Sequence, residues 1–337
     1  MIISRTPFRI SFFGGGTDYR TWYSRHGGSV LGTAIDKYCY LTCRYLPPFF
    51  EHRYRVVWSM IERCKHPDEI THPVVRTLLK YVGIERGVEV HHDGDLPARS
   101  GMGSSSAFTV GLLHALHALQ GNILSRHKLA TESIYVEQEL LKETVGSQDQ
   151  VFAAYGGFNR IRFSPEGEIS VQPMTLGADR IQELNDHLLL FYTGIARTAS
   201  SVASSYVNEL ENKSPALERM TEMVDEGVQI LSSLGSIRPL GELLHDAWQL
   251  KRSLSATVSN GKVDEIYREA LAAGAIGGKL TGAGGGGFLL LFVPPEQHRD
   301  VRQRLQRLTW VPFRFAKTGS EIIFFDVEQD YRGHDRD

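Results

Sequence analysis

The sequence predicts an α+β protein built as two domains, and three observations carry that expectation. Strand-like and helix-like stretches are interleaved without the strict βα repetition of a doubly wound sheet. The 33 glycines gather at Gly14-Gly15-Gly16, at Gly101-x-Gly103 and between Gly277 and Gly287. Each cluster adjoins an apolar run, so they mark turns inside a fold and not a flexible linker. Past about Gly177 the texture shifts to long helical stretches, which puts a boundary within residues 175–190 and gives domains 1–180 and 181–337. At 337 residues the chain has the length for two domains and a sizeable core.

Taken in order, residues 2–13 read as extended and 18–26 as a short helix stopped by Gly27-Gly28. Residues 29–46 and 54–59 read as strands, 73–81 as a helix ended by Gly83, and 87–92 as a strand. Leu112, Leu113, Leu116 and Leu119 recur at helical spacing, which predicts a helix over 104–119 stopped by Gly121. Two more helices follow at 125–143 and 148–155, then a hairpin of 158–163 and 168–174 turned at Pro165-Glu-Gly167. Residues 187–192 are a short strand, and long helices are expected over 199–212, 215–234, 241–255 and 263–273. The chain closes with a strand at 286–293, a helix near 296–308, and strands at 310–315 and 321–325.

Composition narrows the function. Lys and Arg number 37 against 39 Asp and Glu, a net charge of −2, with 42% apolar and 23% charged residues. Such proportions exclude a disordered or fibrous chain, and without a basic field nucleic acid is not the expected partner. The longest apolar run, Phe288 to Val293, falls far short of the ~20 residues a spanning helix needs. The opening Met1-Ile-Ile-Ser-Arg-Thr-Pro7 lacks the pattern of a secretory signal, so no membrane and a cytoplasmic setting are expected. Cys39, Cys43 and Cys64 are too few for a disulfide framework. Cys39 and Cys43 share a strand face, but no second ligand pair follows at zinc spacing, so they read as structural thiols.

The chemistry starts at Asp95-Leu-Pro-Ala-Arg-Ser-Gly101-Met-Gly103-Ser104-Ser105-Ser106-Ala107, which follows a strand and opens a helix. Glycines let a ligand approach the backbone, the first amides of a helix have no internal partners, and small hydroxyl residues add donors. Together these make an anion site suited to phosphate, with a plain serine cap after a tight turn as the alternative. The common nucleotide loops do not fit: Gly278-Lys279 is followed by Leu280, no Gly-x-Gly-x-x-Gly follows the first strand, and the His-Arg-Asp loop of protein kinases is missing.

Three segments resemble the three motifs of the GHMP kinases (galactokinase, homoserine kinase, mevalonate kinase, phosphomevalonate kinase). They are Pro7-Phe-Arg9-Ile-Ser-Phe-Phe-Gly14-Gly15-Gly16-Thr17-Asp18-Tyr19, Pro97-x3-Gly101-Met-Gly103-Ser-Ser-Ser-Ala107 and Lys279-Leu-Thr-Gly282-Ala-Gly284-Gly285-Gly286-Gly287. Their order and spacing span nearly the whole chain. The first has the sugar-kinase form ending Thr-Asp-Tyr. Within the family, Phe-Gly-Gly-Gly-Thr-Asp and Val145-Gly-Ser-Gln-Asp149-Gln150 are most like the bacterial D-glycero-D-manno-heptose 7-phosphate kinases.

The resemblance implies a ribosomal-protein-domain-2-like N-terminal domain, a ferredoxin-like C-terminal domain with extra helices, and an active site between them. It further implies ATP held by Pro97, Arg99, Gly101, Met102, Gly103, Ser104, Ser105 and Ser106, and Mg²⁺ held by Ser105 and Glu137. Glu137 lies twelve residues before Asp149, the galactokinase spacing, with Glu139 and Glu143 as competitors. Asp149 would take or orient the acceptor's hydroxyl proton and Arg9 would sustain its charge, an Asp N-cap being the plain alternative. Gly15 and Gly16 stand where galactokinases carry Glu-His, which opens room and removes a carboxylate, as a phosphorylated acceptor requires. Thr17, Asp18, Gly284 and Gly285 would complete the acceptor site, with Asp18 bonded to sugar hydroxyls. Arg197 and the pair Lys251-Arg252 are the candidates for the acceptor's phosphate, with Arg99 inside the phosphate loop as another.

The implied activity is transfer of the ATP γ-phosphoryl group to the anomeric hydroxyl of a heptose 7-phosphate, giving the 1,7-bisphosphate for nucleotide-activated heptose synthesis. A kinase of fucose, galactose or a uronic acid is the alternative. A decarboxylase or an ATP- and sugar-binding regulator is a further one, opposed by Thr17-Asp18-Tyr19 and by intact Asp149, Glu137 and Ser105. Monomer and homodimer both stay open.

Overall fold

The structure is a computed structural model that describes residues 1–98, 100–195, 199–205 and 207–326. Its first strands are β1 (Ile2–Phe13), β2 (Gly28–Tyr45), β3 (Tyr54–Val57), β4 (Ile61–Cys64) and β5 (Val88–Gly94). They are followed by β6 (Phe158–Phe163), β7 (Ile169–Pro173), β8 (Leu188–Tyr192), β9 (Gly277–Leu280), β10 (Phe288–Phe292), β11 (Thr309–Trp310) and β12 (Glu321–Phe325). The helices are α1 (Arg20–His26), α2 (Pro73–Val82), α3 (Ser104–Leu119), α4 (Arg126–Tyr135), α5 (Gln148–Tyr155) and α6 (Ala178–Asp186). After these come α7 (Ala199–Ser204), α8 (Ser214–Ser232), α9 (Arg238–Arg252), α10 (Gly261–Ala272) and α11 (His298–Arg304). The class is α+β, as expected.

β2 is the axis of the larger sheet. Its 18 residues give it room for two neighbours along one edge, β6 beside Gly28–Thr33 and β5 beside Cys39–Tyr45. β1 runs antiparallel along the other edge, with register shifts between Pro7 and Arg9 and between Ser11 and Phe13. Such bulges turn the strand locally, and here they flank Arg9. β12 pairs antiparallel with the free side of β1, so residues 321–325 complete the sheet that residue 2 begins.

The smaller sheet has the order β11-β8-β10-β9 and is antiparallel throughout. β10 reads Phe-Leu-Leu-Leu-Phe because both its faces are covered. Phe288, Leu290 and Phe292 enter the large core beneath the first sheet. Leu289 and Leu291 enter a second core with Trp248, Val263 and Tyr267 of α9 and α10. That strand therefore joins the two halves of the molecule.

Some boundaries differ from the expectation. The helix expected over 125–143 ends at Tyr135 and continues as a π-helical turn, Val136–Leu140. The stretch 199–212 breaks into α7 and a 3₁₀ segment, Val207–Lys213, and the strand expected at 310–315 is only Thr309–Trp310. β9 was hidden by Gly277-Gly278, which it needs because a Cβ at Gly277 would strike the Gly241 carbonyl of α9. Cys39, Cys43 and Cys64 are buried free thiols. No helix among the described residues is long and apolar enough to cross a membrane.

Helix α3 lies unusually close to the first sheet. A Cβ on Gly111 would sit 2.7 Å from Thr6 Oγ1 and 3.2 Å from Leu41 Cδ1, while Ser4 Oγ donates to the Gly111 carbonyl at 2.9 Å. Gly111→Val should therefore lower the unfolding free energy by about 1–3 kcal/mol through overpacking. It would be read as an earlier urea midpoint, and an unchanged midpoint would show that α3 has slack over β1.

Candidate active site

The loop before α3, the bulged end of β1 and the first turn of α5 meet at one point. Arg9 donates from Nε to Asp149 Oδ1 and from Nη2 to Asp149 Oδ2, both at 2.8 Å, and from Nη1 to the Gly101 carbonyl at 2.7 Å. Its own amide donates to the Met102 carbonyl at 3.1 Å. This fork-to-fork pair fixes both the position and the plane of the carboxylate. The arginine side chain is 5% exposed and that of Asp149 24%, so the carboxylate, not the guanidinium, is the member open to an incoming group. A Cβ on Gly103 would lie 3.4 Å from Asp149 Oδ2, so the glycine loop and the carboxylate face each other directly.

The third glycine cluster closes on the second. A Cβ on Gly282 would come within 2.6 Å of Gly101 Cα, and one on Gly287 would strike the Ser100 carbonyl. Gly101 has φ +79°, a region that glycine enters without strain, and the Thr281 carbonyl blocks any side chain there. Gly284 and Gly285 pack on Val258 instead, the Gly285 amide donating to its carbonyl at 2.8 Å. Met102 is buried inside the loop and Pro97 is exposed at its outer start. Ser104 opens α3, with Ser105 exposed and Ser106 buried behind it. Arg99 and Arg197 lie outside the described residues.

Glu137 sits in the π-helical turn, a distortion that frequently marks functional sites. It is fully buried, and its Oε2 accepts from Ser106 Oγ at 2.9 Å and from Gln150 Nε2. Its Oε1 has no partner among the described residues. Burial pushes the carboxyl up to about 7, helped by the charge of Glu143 and opposed by the hydrogen bonds from Ser106 and Gln150. Ser106, and not Ser105, is thus the serine that touches Glu137. The competitor Glu139 pairs with Arg20 and Lys142 at the surface.

Motif one is more structural than its residue types suggest. Thr17 Oγ1 donates to the Gly14 and Ser29 carbonyls at 2.9 and 3.0 Å and folds the turn. Asp18, expected to bond sugar hydroxyls, is 1% exposed and accepts instead from the Gly16 amide at 2.9 Å and the Gln148 amide at 3.3 Å. Its main-chain carbonyl accepts from the Ser147 amide, and a Cβ on Gly146 would strike its carboxylate. Asp18 therefore anchors the segment that carries Asp149. Burial, joined by the charge of Asp149, raises its carboxyl above the usual range.

The pair Lys251-Arg252 is split, because consecutive helical positions point about 100° apart. Lys251 turns inward, 6% exposed, with Nζ donating to the Gly282 carbonyl at 2.7 Å. Burial lowers its ammonium to about 8. Arg252 turns away to Asp264 at 3.0 Å and Gln249 at 3.0 Å and does not join the cluster. Sequence reasoning missed Lys279, whose buried Nζ donates to the Ser11 and Phe12 carbonyls at 2.9 and 3.0 Å and ties β9 to β1. A lysine inside Gly-Gly-Lys-Leu, between apolar runs, was the available signal. It also missed Ser11, Gln148 and Gln150, which lie inside quoted motifs but are uncharged.

A glycine loop opening a helix and facing an arginine-held carboxylate is an arrangement suited to phosphoryl transfer. Two family models match, "GHMP kinases N terminal domain" over residues 69–157 and "GHMP kinases C terminal" over residues 212–308. Mevalonate kinase of Pyrococcus horikoshii is 31% identical over 246 residues, 70% of this chain and 69% of that protein. D-glycero-alpha-D-manno-heptose 7-phosphate kinase of Campylobacter jejuni is 26% identical over 336 residues, 94% of this chain and 97% of that one. A solved D-glycero-D-manno-heptose 1-phosphate kinase of Bacteroides thetaiotaomicron has a TM-score of 0.79 at 21% identity, over 97% of this chain and 100% of that one. The chain belongs to the GHMP kinases and is an ATP-dependent kinase.

The buried carboxyl of Glu137 makes the stability of the unliganded protein pH-dependent. Between pH 4.5 and 7 the folded state keeps a proton that the unfolded chain releases, so stability falls as pH rises, by at most about 3 kcal/mol. Glu137→Gln cannot ionise, so its stability relative to the parent should rise by about 2–3 kcal/mol across that window in urea unfolding. A difference independent of pH would show that Glu137 ionises freely in the fold.

Proposed function

We propose that the protein transfers the γ-phosphoryl group of ATP to the anomeric (C1) hydroxyl of D-glycero-D-manno-heptose 7-phosphate, giving the 1,7-bisphosphate for nucleotide-activated heptose synthesis. The observation that carries this reading is the Arg9–Asp149 pair set against the Gly101–Gly103 loop. The acceptor class is supported by the bare Gly15-Gly16 pair and by the heptose phosphates named for the Campylobacter and Bacteroides relatives. Residues 1–180 would supply the phosphate loop and Asp149, and residues 181–337 would supply Lys251 and the covering loop.

In this reading Asp149 accepts the proton of the C1 hydroxyl as its oxygen bonds to the γ-phosphorus and the bond to the β-phosphate bridge breaks, releasing ADP. Arg9 keeps Asp149 ionised and aimed. The amides at the start of α3 and the loop hold the phosphates in line, which is the larger part of catalysis when the protein forms no covalent bond to substrate. Mg²⁺ fits the residues present, because the unpartnered Glu137 Oε1 is a hard carboxylate oxygen. Glu137 and Ser105 would hold it, with Ser106 tethering Glu137 to α3. When bound, Mg²⁺ neutralises phosphate charge.

ADP release measured by a coupled assay across heptose 7-phosphate, galactose, fucose and glucuronate tests the acceptor. Turnover with the heptose 7-phosphate at the highest kcat/KM is expected, and turnover restricted to a free sugar overturns the reading. Asp149→Asn should cut kcat by roughly 100- to 10,000-fold while ATP still binds. Unchanged kcat would remove Asp149 from proton transfer.

A further inference from the structure

The cleft holds a second convergence of polar atoms that the phosphoryl-transfer step leaves unused. A Cβ placed on Gly15 would lie 3.5 Å from Gln148 Nε2, 3.6 Å from Ser11 Oγ and 3.8 Å from Lys251 Nζ. One small volume over Gly15 is thus faced by side chains from β1, α5 and α9. All three are more than nine-tenths buried. Ser11 Oγ and Gln148 Oε1 have no hydrogen-bond partner among the described residues, and the Lys251 ammonium there has one acceptor, the Gly282 carbonyl.

Folded proteins seldom leave such groups unanswered, and a buried ammonium with spare N–H groups is costlier than a neutral donor. The neighbouring carboxylates do not answer it. Asp149 is taken up by Arg9, and Asp18 by the amides of Gly16 and Gln148. Neither lies within 4.0 Å ion-pair reach of Lys251 in the described residues.

We propose that the pocket over Gly15 seats the phosphomonoester of the acceptor, with Lys251 meeting its charge and Ser11 and Gln148 its oxygens. This rests on the acceptor being a sugar phosphate and assigns the residues that read the phosphate. A phosphate brings several terminal oxygens to donors that come from three directions, together with the counter-charge that Lys251 lacks. A lone hydroxyl supplies one oxygen and no charge. Glycine at 15 leaves the volume free. Gln148 and Asp149 are consecutive on the first turn of α5, so the pocket adjoins the reacting centre. Gln148 Oε1 is left to accept from a hydroxyl of the same acceptor.

The test is calorimetric binding to the full chain of three pairs: D-glycero-D-manno-heptose and its 7-phosphate, D-mannose and its 6-phosphate, D-galactose and its 6-phosphate. ADP titrated separately reports an intact nucleotide site. The parent should bind a phosphorylated member more tightly than its partner. Lys251→Met should weaken the phosphorylated member by roughly 10- to 100-fold, the worth of a charged hydrogen bond, and the free sugar far less. Because Lys251 is buried, Ser11→Ala, which removes one oxygen, carries the same test should Lys251→Met fail to fold. A phosphate preference that survives in the folded variants overturns the pocket and leaves the sugar-phosphate reading standing. A parent that prefers the free sugar in every pair, or binds no member of any, overturns both.

Discussion

The site depends on a single side chain, Arg9, which holds three elements at once. Its two-pronged contact fixes Asp149 at the start of α5, its third nitrogen fixes the Gly101 carbonyl, and its backbone belongs to β1. A guanidinium this buried is tolerable only when its charge is met. Asp149 meets it, so the interaction that orients the carboxylate also makes the buried cation affordable. The β1 bulges on either side of Arg9 are the backbone's part in the same arrangement. Gly103 leaves the space in which loop and carboxylate confront each other.

Around that pair the charges are graded. Lys251 and Lys279, both fully buried, are held below their ordinary range by burial, while Asp18 is pushed above its own. In each case burial opposes the charged form. Lys279 has its bonds to β1 carbonyls, so it serves the junction between the sheets. Lys251 keeps N–H groups beyond its one bond to the Gly282 carbonyl. The smaller sheet matters to the chemistry through the loop between β9 and β10, whose glycines let main chain lie on main chain at Gly101.

Much of this was legible in the sequence, because glycine clusters and apolar periodicity are local signals. The helix over 104–119 and the hairpin after it fall where expected. The alignment of Asp149 with the glycine loop could be anticipated only through family resemblance, since 45 residues lie between Gly103 and Asp149. What stayed hidden was orientation. Nothing in Lys251-Arg252 says which side chain turns inward, because that depends on where α9 rests against β9. Asp18 looked like a sugar ligand because its type suits hydroxyls, whereas the fold spends it on two amides. The π-helical turn that delivers Glu137 to Ser106 leaves no trace in hydrophobic spacing. α6, with few apolar positions, was missed for the same reason.

The pairing of β12 with β1 has a consequence for how the molecule is made. During synthesis the strand that carries Arg9 emerges more than 300 residues before its partner, and one of its edges stays bare until residues 321–325 have left the ribosome. The N-terminal half cannot finish its sheet while the rest is being translated, and a bare β-edge invites wrong partners. A contact spanning more than 300 residues also makes closing that edge a long-range search. The half that carries Arg9 should thus stay short of its finished sheet well past the apparent junction between the halves.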